Sequence, residues 1–320
     1  MLCTGIDEAG YGPVLGPLVV AAVTFEIPDR YRKPCLWFLL DRVVTPQSRP
    51  PRGDARLPVC DSKKLHSGPR KFVQLERSAA AFLGLGGGFP TTFEELLRRL
   101  TDAAPTHHPL PPWYEHLELS LPVEADPAEV RTQTAALAAA MRSCGIRLVS
   151  ARVVLLTAPE FNHMVAATKN KSEVLFWATM RLAVTALSLG AGPHALLIDR
   201  QGGRKAYAPV LLRSLDINTL HVLNEDDDAS RYTLTHLPHL TEIGFYKNGE
   251  RQHSLIALAS VVAKYVRELC MRTFNGYWRS RIRGLAATAG YYSDGMRFFS
   301  QIEPHLRPLG LKRDTVLRIR

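Results

Sequence analysis

Apolar and polar positions alternate in a way that predicts a sheet interrupted by acid. Met1 to Ile6 reads as a short buried strand with Asp7 and Glu8 at its end. A Gly/Pro-rich turn follows, and the apolar run Leu18 to Phe25 predicts a second strand returning antiparallel. Ile146 to Leu156 alternates and is β-branched, hence a strand, and the largely apolar His194 to Ile198 predicts another, which delivers Asp199. Helical signals cover Pro69 to Leu83, Thr92 to Leu100, Asp126-Pro127 through Met141 with proline at the first helical position, and a long amphipathic stretch from the Asn170 cap through Leu189. Tyr207-Ala208-Pro209 begins a further helix. In Gly249 to Lys264 the small residues Ala257, Ala259, Ser260 and Ala263 predict a helix packed closely on the sheet. Arg42 to Leu57, Leu83 to Pro90 and Ala104 to Pro112, rich in Pro, Gly, Arg or His, read as loops.

Composition narrows the class. A chain of 320 residues that is 46% hydrophobic can bury one large core or two modest ones. No run reaches the ~18 apolar residues of a membrane span, and Met1 to Thr4 leads directly into the first strand without a basic-then-apolar leader. The expectation is a soluble cytoplasmic protein with no membrane partner. The five cysteines are scattered and form no Cys-x-x-Cys pair, which argues against a disulfide framework or a zinc site. A net charge of +10 indicates affinity for a polyanion, although an arginine-rich composition gives the same balance.

Several polar groups are candidates for chemistry. Adjacent strand residues point to opposite faces, so Asp7 and Glu8 can reach one site only if the strand ends there or a metal draws in a backbone carbonyl; otherwise they form an acidic turn. Gly10, Gly12 and Gly16 would let backbone approach a ligand. Asp199 directly follows a buried strand and precedes Gly202-Gly203-Arg204, a loop with a phosphate-seeking arginine. In Asp61-Ser62-Lys63-Lys64-Leu65, Ser62 would help cap the helix that Pro69 begins, and two lysines beside a helix start suit phosphate oxygens; a solvated capping turn is the plainer reading. Glu225 to Asp228, the densest acidic run, reads as a solvated loop or a rival source of ligands. His107-His108 reads as a surface pair. Tyr277 to Gly284 interleaves aromatics with arginines.

Four of these motifs, in order, resemble the type 2 ribonucleases H (ribonuclease HII and its HIII relatives). Asp7-Glu8-Ala9-Gly10-Tyr11-Gly12-Pro13, followed by Gly16-Pro17-Leu18-Val19, resembles the opening motif, whose usual form is Asp-Glu-Ala-Gly-Arg-Gly-Pro. Asp61 to Leu65 resembles the second signature. Gly249-Glu250, then Ile256 to Lys264, resembles a Gly-Asp followed after five residues by Ile-Ala-Ala-Ala-Ser-Ile-x-Ala-Lys, and Gly290-Tyr291-Tyr292-Ser293 resembles Gly-Tyr-x-Thr.

The resemblance implies a metal-dependent endonuclease cutting the RNA strand of RNA–DNA hybrids. It carries Asp7, Glu8, Asp199 and Glu250 over as ligands of Mg²⁺ or Mn²⁺, in what would be a two-metal site, and Gly10, Tyr11, Gly12, Ser62, Lys63, Lys64, Arg204, Lys264 and Tyr291 as substrate contacts. It also implies an α/β fold: a ribonuclease H-like mixed sheet, first strands antiparallel and later ones parallel, flanked by helices. The catalytic core would be residues 1–83 and 146–270, with an insertion at 84–145 and a helical, substrate-contacting segment at 271–320. Two departures stand out. Glu250 replaces the family's aspartate, keeping the charge and adding one methylene. Tyr11 replaces an arginine, offering a ring and a hydroxyl in place of a cation, which predicts a relative preference for longer RNA stretches over a lone ribonucleotide. These departures also motivate a rival reading, a hybrid- or structured-nucleic-acid-binding protein whose catalysis has decayed.

Overall fold

The computed structural model describes residues 1–31, 35–66, 71–102, 108–190, 192–236 and 239–319. In chain order its strands and helices are β1 (Leu2–Ala9), β2 (Leu18–Glu26), α1 (Leu36–Leu39), β3 (Val44–Thr45), β4 (Leu57–Pro58), α2 (Ser62–Leu65), α3 (Lys71–Leu83), α4 (Phe93–Leu100), α5 (Pro127–Cys144), β5 (Arg147–Leu156), α6 (Ala158–Thr168), α7 (Lys171–Leu187), β6 (His194–Asp199), α8 (Ala208–Ser214), β7 (Thr219–Glu225), β8 (Ala229–His236), β9 (His239–Tyr246), α9 (Ser254–Arg279), α10 (Tyr292–Leu306) and α11 (Arg313–Val316).

Seven strands make one mixed sheet in the order β5-β2-β1-β6-β9-β8-β7. The β5, β2 and β1 strands pair antiparallel, β1, β6 and β9 pair parallel, and β8 and β7 return antiparallel. The parallel part expected after the opening hairpin is therefore confined to the centre of the sheet, because tight hairpins let β8 and β7 close it antiparallel.

Period-2 alternation sends β2 side chains to two cores. Val19, Ala21, Val23 and Phe25 pack with α9 on one face, while Leu18, Val20 and Ala22 pack with α7 on the other. The α9 backbone lies directly on β1: a Cβ built on Gly5 would come within 2.2 Å of the Leu255 carbonyl. Only glycine leaves that approach open, and the small residues of α9 keep the rest of the contact close.

Residues 84–145 join the α9-side core through Phe93, Leu96, Trp113, Leu121, Leu137 and Met141. They are also tied to it by a buried carboxylate, since Glu76 of α3 accepts from the N–H groups of Val123, Glu124 and Ala125 at 2.7–2.8 Å and from the Tyr265 hydroxyl at 2.9 Å. The α4 helix is capped by Thr92 and α5 by Asp126. Ser62 does not cap the helix of 71–83. A separate turn of helix, α2, intervenes, and its cap is Asp61, which accepts from the Lys63 N–H at 2.9 Å. Pro69 and His107 lie outside the described residues, and His108 packs its ring on His163. No helix among the described residues is long and apolar enough to cross a membrane.

Candidate active site

The site forms where β1 outruns its neighbour. The strand runs to Ala9 rather than ending at Ile6, so both acids lie within it. On the β2 side they are paired, Asp7 with Ala21 and Glu8 with Val20, but the parallel pairing to β6 stops at Ile6 opposite Ile198. Past that point the flank of β1 is open, and β6 ends at Asp199. Opposite-facing neighbours can therefore both reach the same opening, and carboxylate oxygens of Asp7, Glu8 and Asp199 lie within 4.8 Å of one another. Among the described residues this is the only group of three or more potential metal-ligating side chains so close.

Glu250 completes the acid set from a short 3-10 turn, Gly249–Arg251. That turn is brought in by Gly249, whose N–H donates to Asp199 Oδ1 at 2.7 Å. A Cβ there would meet Ile256 Cδ1 at 2.6 Å and Asp199 Oδ1 at 3.2 Å, so any side chain would push Ile256 aside and crowd Asp199. The Glu250 carboxyl lies near enough to Asp199 to raise its proton affinity.

The four acids line a cavity of about 350 Å³ together with Gly10, Tyr11, Gly12, Asp61, Ser62, Lys63, Asn248, Ser260, Lys264 and Tyr291. Asp7 is only 7% exposed. Burial, and then the Glu8 charge, push its carboxyl well above the usual carboxylate range, against hydrogen bonds from Ser260 and from the Glu8 N–H at 2.7 Å. Burial and the Asp199 charge push Glu8 up to about 7, with Lys63 opposing. Burial, Asp7 and Glu250 push Asp199 up to about 8. Acids gathered this way hold protons into the neutral range because their charges are neither solvated nor compensated.

The same property makes the cluster fit a divalent cation. Every donor is a hard carboxylate oxygen, suited to Mg²⁺ or Mn²⁺, and a bound ion would relieve the repulsion that now raises the proton affinity. No neutral imidazole or thiolate stands among the lining residues to favour a softer metal.

The remaining candidates separate. Gly10, Tyr11, Gly12, Ser62, Lys63, Lys264 and Tyr291 all line the cavity. Ser62 is buried, its hydroxyl 2.9 Å from that of Ser260. Tyr291 is 52% exposed at the rim. Lys264 pairs with Glu268 at 2.7 Å, so part of its charge is already engaged. Lys64 lies instead in an adjoining groove with Trp37, Arg49, Arg251 and Glu250. Arg204 is turned away to Glu173 at 2.8 Å, across the Phe176 ring, in a small pocket shared with Tyr11, because a half-buried guanidinium takes the nearest carboxylate. Of the three glycines in the turn, only Gly12 has open space before it. A Cβ on Gly10 would strike Arg267 and the Pro17 carbonyl, and one on Gly16 would strike Met271, so those two serve packing within the protein. Glu225 closes β7 and Asp226 to Asp228 form the hairpin turn to β8, with Asp226 Oδ1 accepting from the N–H groups of Asp228 and Ala229. That run is a turn, not a rival ligand source.

Asp61, Asn248 and Ser260 are lining residues that the sequence reading did not assign to the site. Asp61 lies within Asp61–Leu65 and Ser260 within Ile256–Lys264, where a hydrogen-bonding side chain beside Ser62, Lys63 and Lys264 is the signal that could find them.

The chain is 17% identical to the ribonuclease H2 of Pyrococcus horikoshii OT3, covering 99% of this chain and 92% of that one with a TM-score of 0.48. It is 16% identical to Bst-RNase HIII solved with Mn²⁺, over 99% and 66% with a TM-score of 0.48. It is 15% identical to the RNase HII of Archaeoglobus fulgidus solved with PCNA, over 100% and 95% with a TM-score of 0.44. No family model and no curated protein matches the chain. The chemistry of the site rests on this chain's own carboxylates.

Proposed function

We propose that this protein is a metal-dependent endonuclease that cleaves the RNA strand of RNA–DNA hybrids. The observation that carries the reading is the convergence of Asp7, Glu8 and Asp199, from strands that adjoin only in the folded sheet, into one cavity walled by the motifs that resemble type 2 ribonucleases H. Asp7, Glu8, Asp199 and Glu250 would hold Mg²⁺ or Mn²⁺. When bound, such ions activate a water and stabilise the departing oxygen in phosphodiester hydrolysis.

The chain's own groups supply the rest. Lys63 and Lys264 face the phosphates of the bound strand from the cavity wall, and Tyr291 at the rim presents a ring to a sugar or base. The Gly10–Gly12 turn presents backbone rather than side chain beside the carboxylates, as recognition of a ribose hydroxyl requires. The Glu8 N–H holds Asp7, and the Gly249 N–H holds Asp199, so both carboxylates are oriented before substrate arrives.

The test uses duplexes labelled on one strand: an RNA–DNA hybrid, an RNA duplex and a DNA duplex, each with the purified protein in Mg²⁺ or Mn²⁺. The reading expects internal cuts in the RNA strand of the hybrid alone. Tight binding of the hybrid with no turnover in either ion would favour the rival reading of a hybrid-binding protein, and equal cleavage of the DNA duplex would move the substrate class.

A further inference from the structure

The C-terminal segment reaches back to the site. Arg318, 3% exposed, donates through Nη1 to the Gly10 carbonyl and through Nη2 to the Tyr11 carbonyl at 3.2 Å, with its guanidinium 4.0 Å from the centre of the Phe161 ring. The segment carrying it is fastened on both sides. The Arg318 N–H donates to the Val14 carbonyl at 2.9 Å, the Ile319 N–H to Asn162 Oδ1 at 2.8 Å, and Asn162 Nδ2 to the carbonyls of Asp314 and Leu317 at 3.0 and 2.8 Å.

Among the described residues no carboxylate pairs with Arg318. A buried cation held only by two carbonyls and a ring is a costly arrangement if stability alone were at stake, and burial together with the Arg267 charge lowers its basicity to about 9 while leaving it charged at neutral pH.

Peptide geometry gives the arrangement a use. In a trans peptide the C=O and N–H point in opposite directions. The Gly10 carbonyl belongs to the unit whose N–H is that of Tyr11, and the Tyr11 carbonyl to the unit whose N–H is that of Gly12. With both carbonyls drawn inward onto one guanidinium, the two N–H groups turn outward, and among the described residues neither donates within the protein. Tyr11 and Gly12 line the cavity that holds Asp7, Glu8 and Asp199.

We infer that Arg318 is a positioning residue of the site: it aims the N–H groups of Tyr11 and Gly12 at an acceptor oxygen of the RNA strand beside the carboxylates. The inference rests on the function proposed above. Arg318 touches no substrate; it fixes the pair of amides that do. Lysine at this position could hold one carbonyl but not both in a plane, and glutamine would drop the charge and the second donor.

The test compares Arg318→Gln, Arg318→Lys, Gly12→Ala and the double variant Arg318→Gln/Gly12→Ala with the natural protein. Gly12→Ala adds a methyl where nothing lies within 4 Å, so it folds as the natural chain does but crowds the outward amides. Three quantities are read: kcat on a hybrid, Kd for the hybrid in Ca²⁺, and the Mn²⁺ concentration that half-saturates the gain in melting temperature. Arg318→Gln is expected to lower kcat or hybrid affinity roughly tenfold to a hundredfold, with Arg318→Lys recovering part of the loss and the Mn²⁺ midpoint unmoved, as a collapsed site would not allow. The double variant is expected to lose no more than the worse single variant, because both act through the same amides. Natural rates and affinities in folded Arg318→Gln, or in Arg318→Lys should the glutamine variant not fold, would overturn the inference, as would losses that multiply in the double variant. A natural protein that binds the hybrid without cutting it would count against the proposed function alone, since Kd still reports on Arg318.

Discussion

At the scale of single residues, the carboxylates set a pH dependence whose sign is fixed by their raised proton affinity. Glu8 is pushed up to about 7 and Asp199 to about 8, whereas an unfolded carboxyl titrates near ~4. Between these values the folded state binds protons that the unfolded state has released. Their contribution to stability is thus fully present below the unfolded value and lost as pH rises through about 7 and 8. Metal-free protein should therefore melt lower at pH 8.5 than at pH 6, with Mg²⁺ or Mn²⁺ flattening the difference because loaded carboxylates are already ionised. A melting series with and without the ion checks this, and a metal-free midpoint that rises over that range would contradict it.

Tyr11 makes a second residue-scale prediction. Its half-buried ring lies under the Lys171 ammonium, 4.9 Å from the ring centre, so a cation already stands over the position where the resembling family writes arginine. The natural protein should cut a duplex with several ribonucleotides faster than one with a single ribonucleotide. Tyr11→Arg should narrow that ratio and cost stability of roughly 1 kcal/mol from like charges brought together. Rates on the two duplexes and a melting curve measure both effects, and an unchanged ratio would show that the turn does not set the preference. Arg318, by contrast, left no trace in the sequence, since one arginine near the end of a basic chain looks like any other until the chain has folded back.

At the scale of elements, the buried Glu76 carboxylate joins α3, α9 and the turn at 123–125. Removing it leaves the buried Ala125 N–H and Tyr265 hydroxyl, and the half-buried N–H groups of Val123 and Glu124, without their acceptor. Glu76→Ala should destabilise the protein by about 3–5 kcal/mol, read as a fall in denaturant midpoint, and a loss below about 1 kcal/mol would mean that water replaces the carboxylate. Which elements were legible follows from their burial. β1, β2 and β6 carry apolar runs because both faces of the central sheet are covered, β5 at the edge is legible from its alternation and β-branched residues, and α9 announces itself through small residues that the Gly5 contact requires. The strands β7 to β9 were not assigned. β7 is an edge strand with Val222 and Leu223 about half exposed, so it has no alternation to read, and the cues in β8 and β9 amount to Tyr232 with Leu234 and Ile243 with Phe245. The helix α6 was also missed, and it matters, because Phe161 and Asn162 on it hold the C-terminal segment.

At the scale of the whole molecule, the acids in the cavity and the net charge of +10 on the chain act on the same ligand in opposite senses. The carboxylates repel a polyanion unless a divalent ion intervenes, while Lys63, Lys264 and the Lys64–Arg251 groove attract it. Hybrid binding should therefore weaken with salt, log Kd changing by about 0.9 per decade of salt for each phosphate neutralised, and tighten when Ca²⁺ is added. A salt titration with and without Ca²⁺ checks the two signs together. The most direct measurement of the central claim, that these carboxylates form one divalent-metal hydrolytic site, is cleavage of a strand-labelled hybrid by the natural protein, Asp7→Asn and Asp199→Asn in Mg²⁺ and in Mn²⁺, with each variant's fold checked by its melting curve. The account predicts cleavage by the natural protein in at least one ion, none with chelator, and a loss of at least ~100-fold in both variants, whose melting curves show a folded chain. Undiminished cleavage by either folded variant would contradict it.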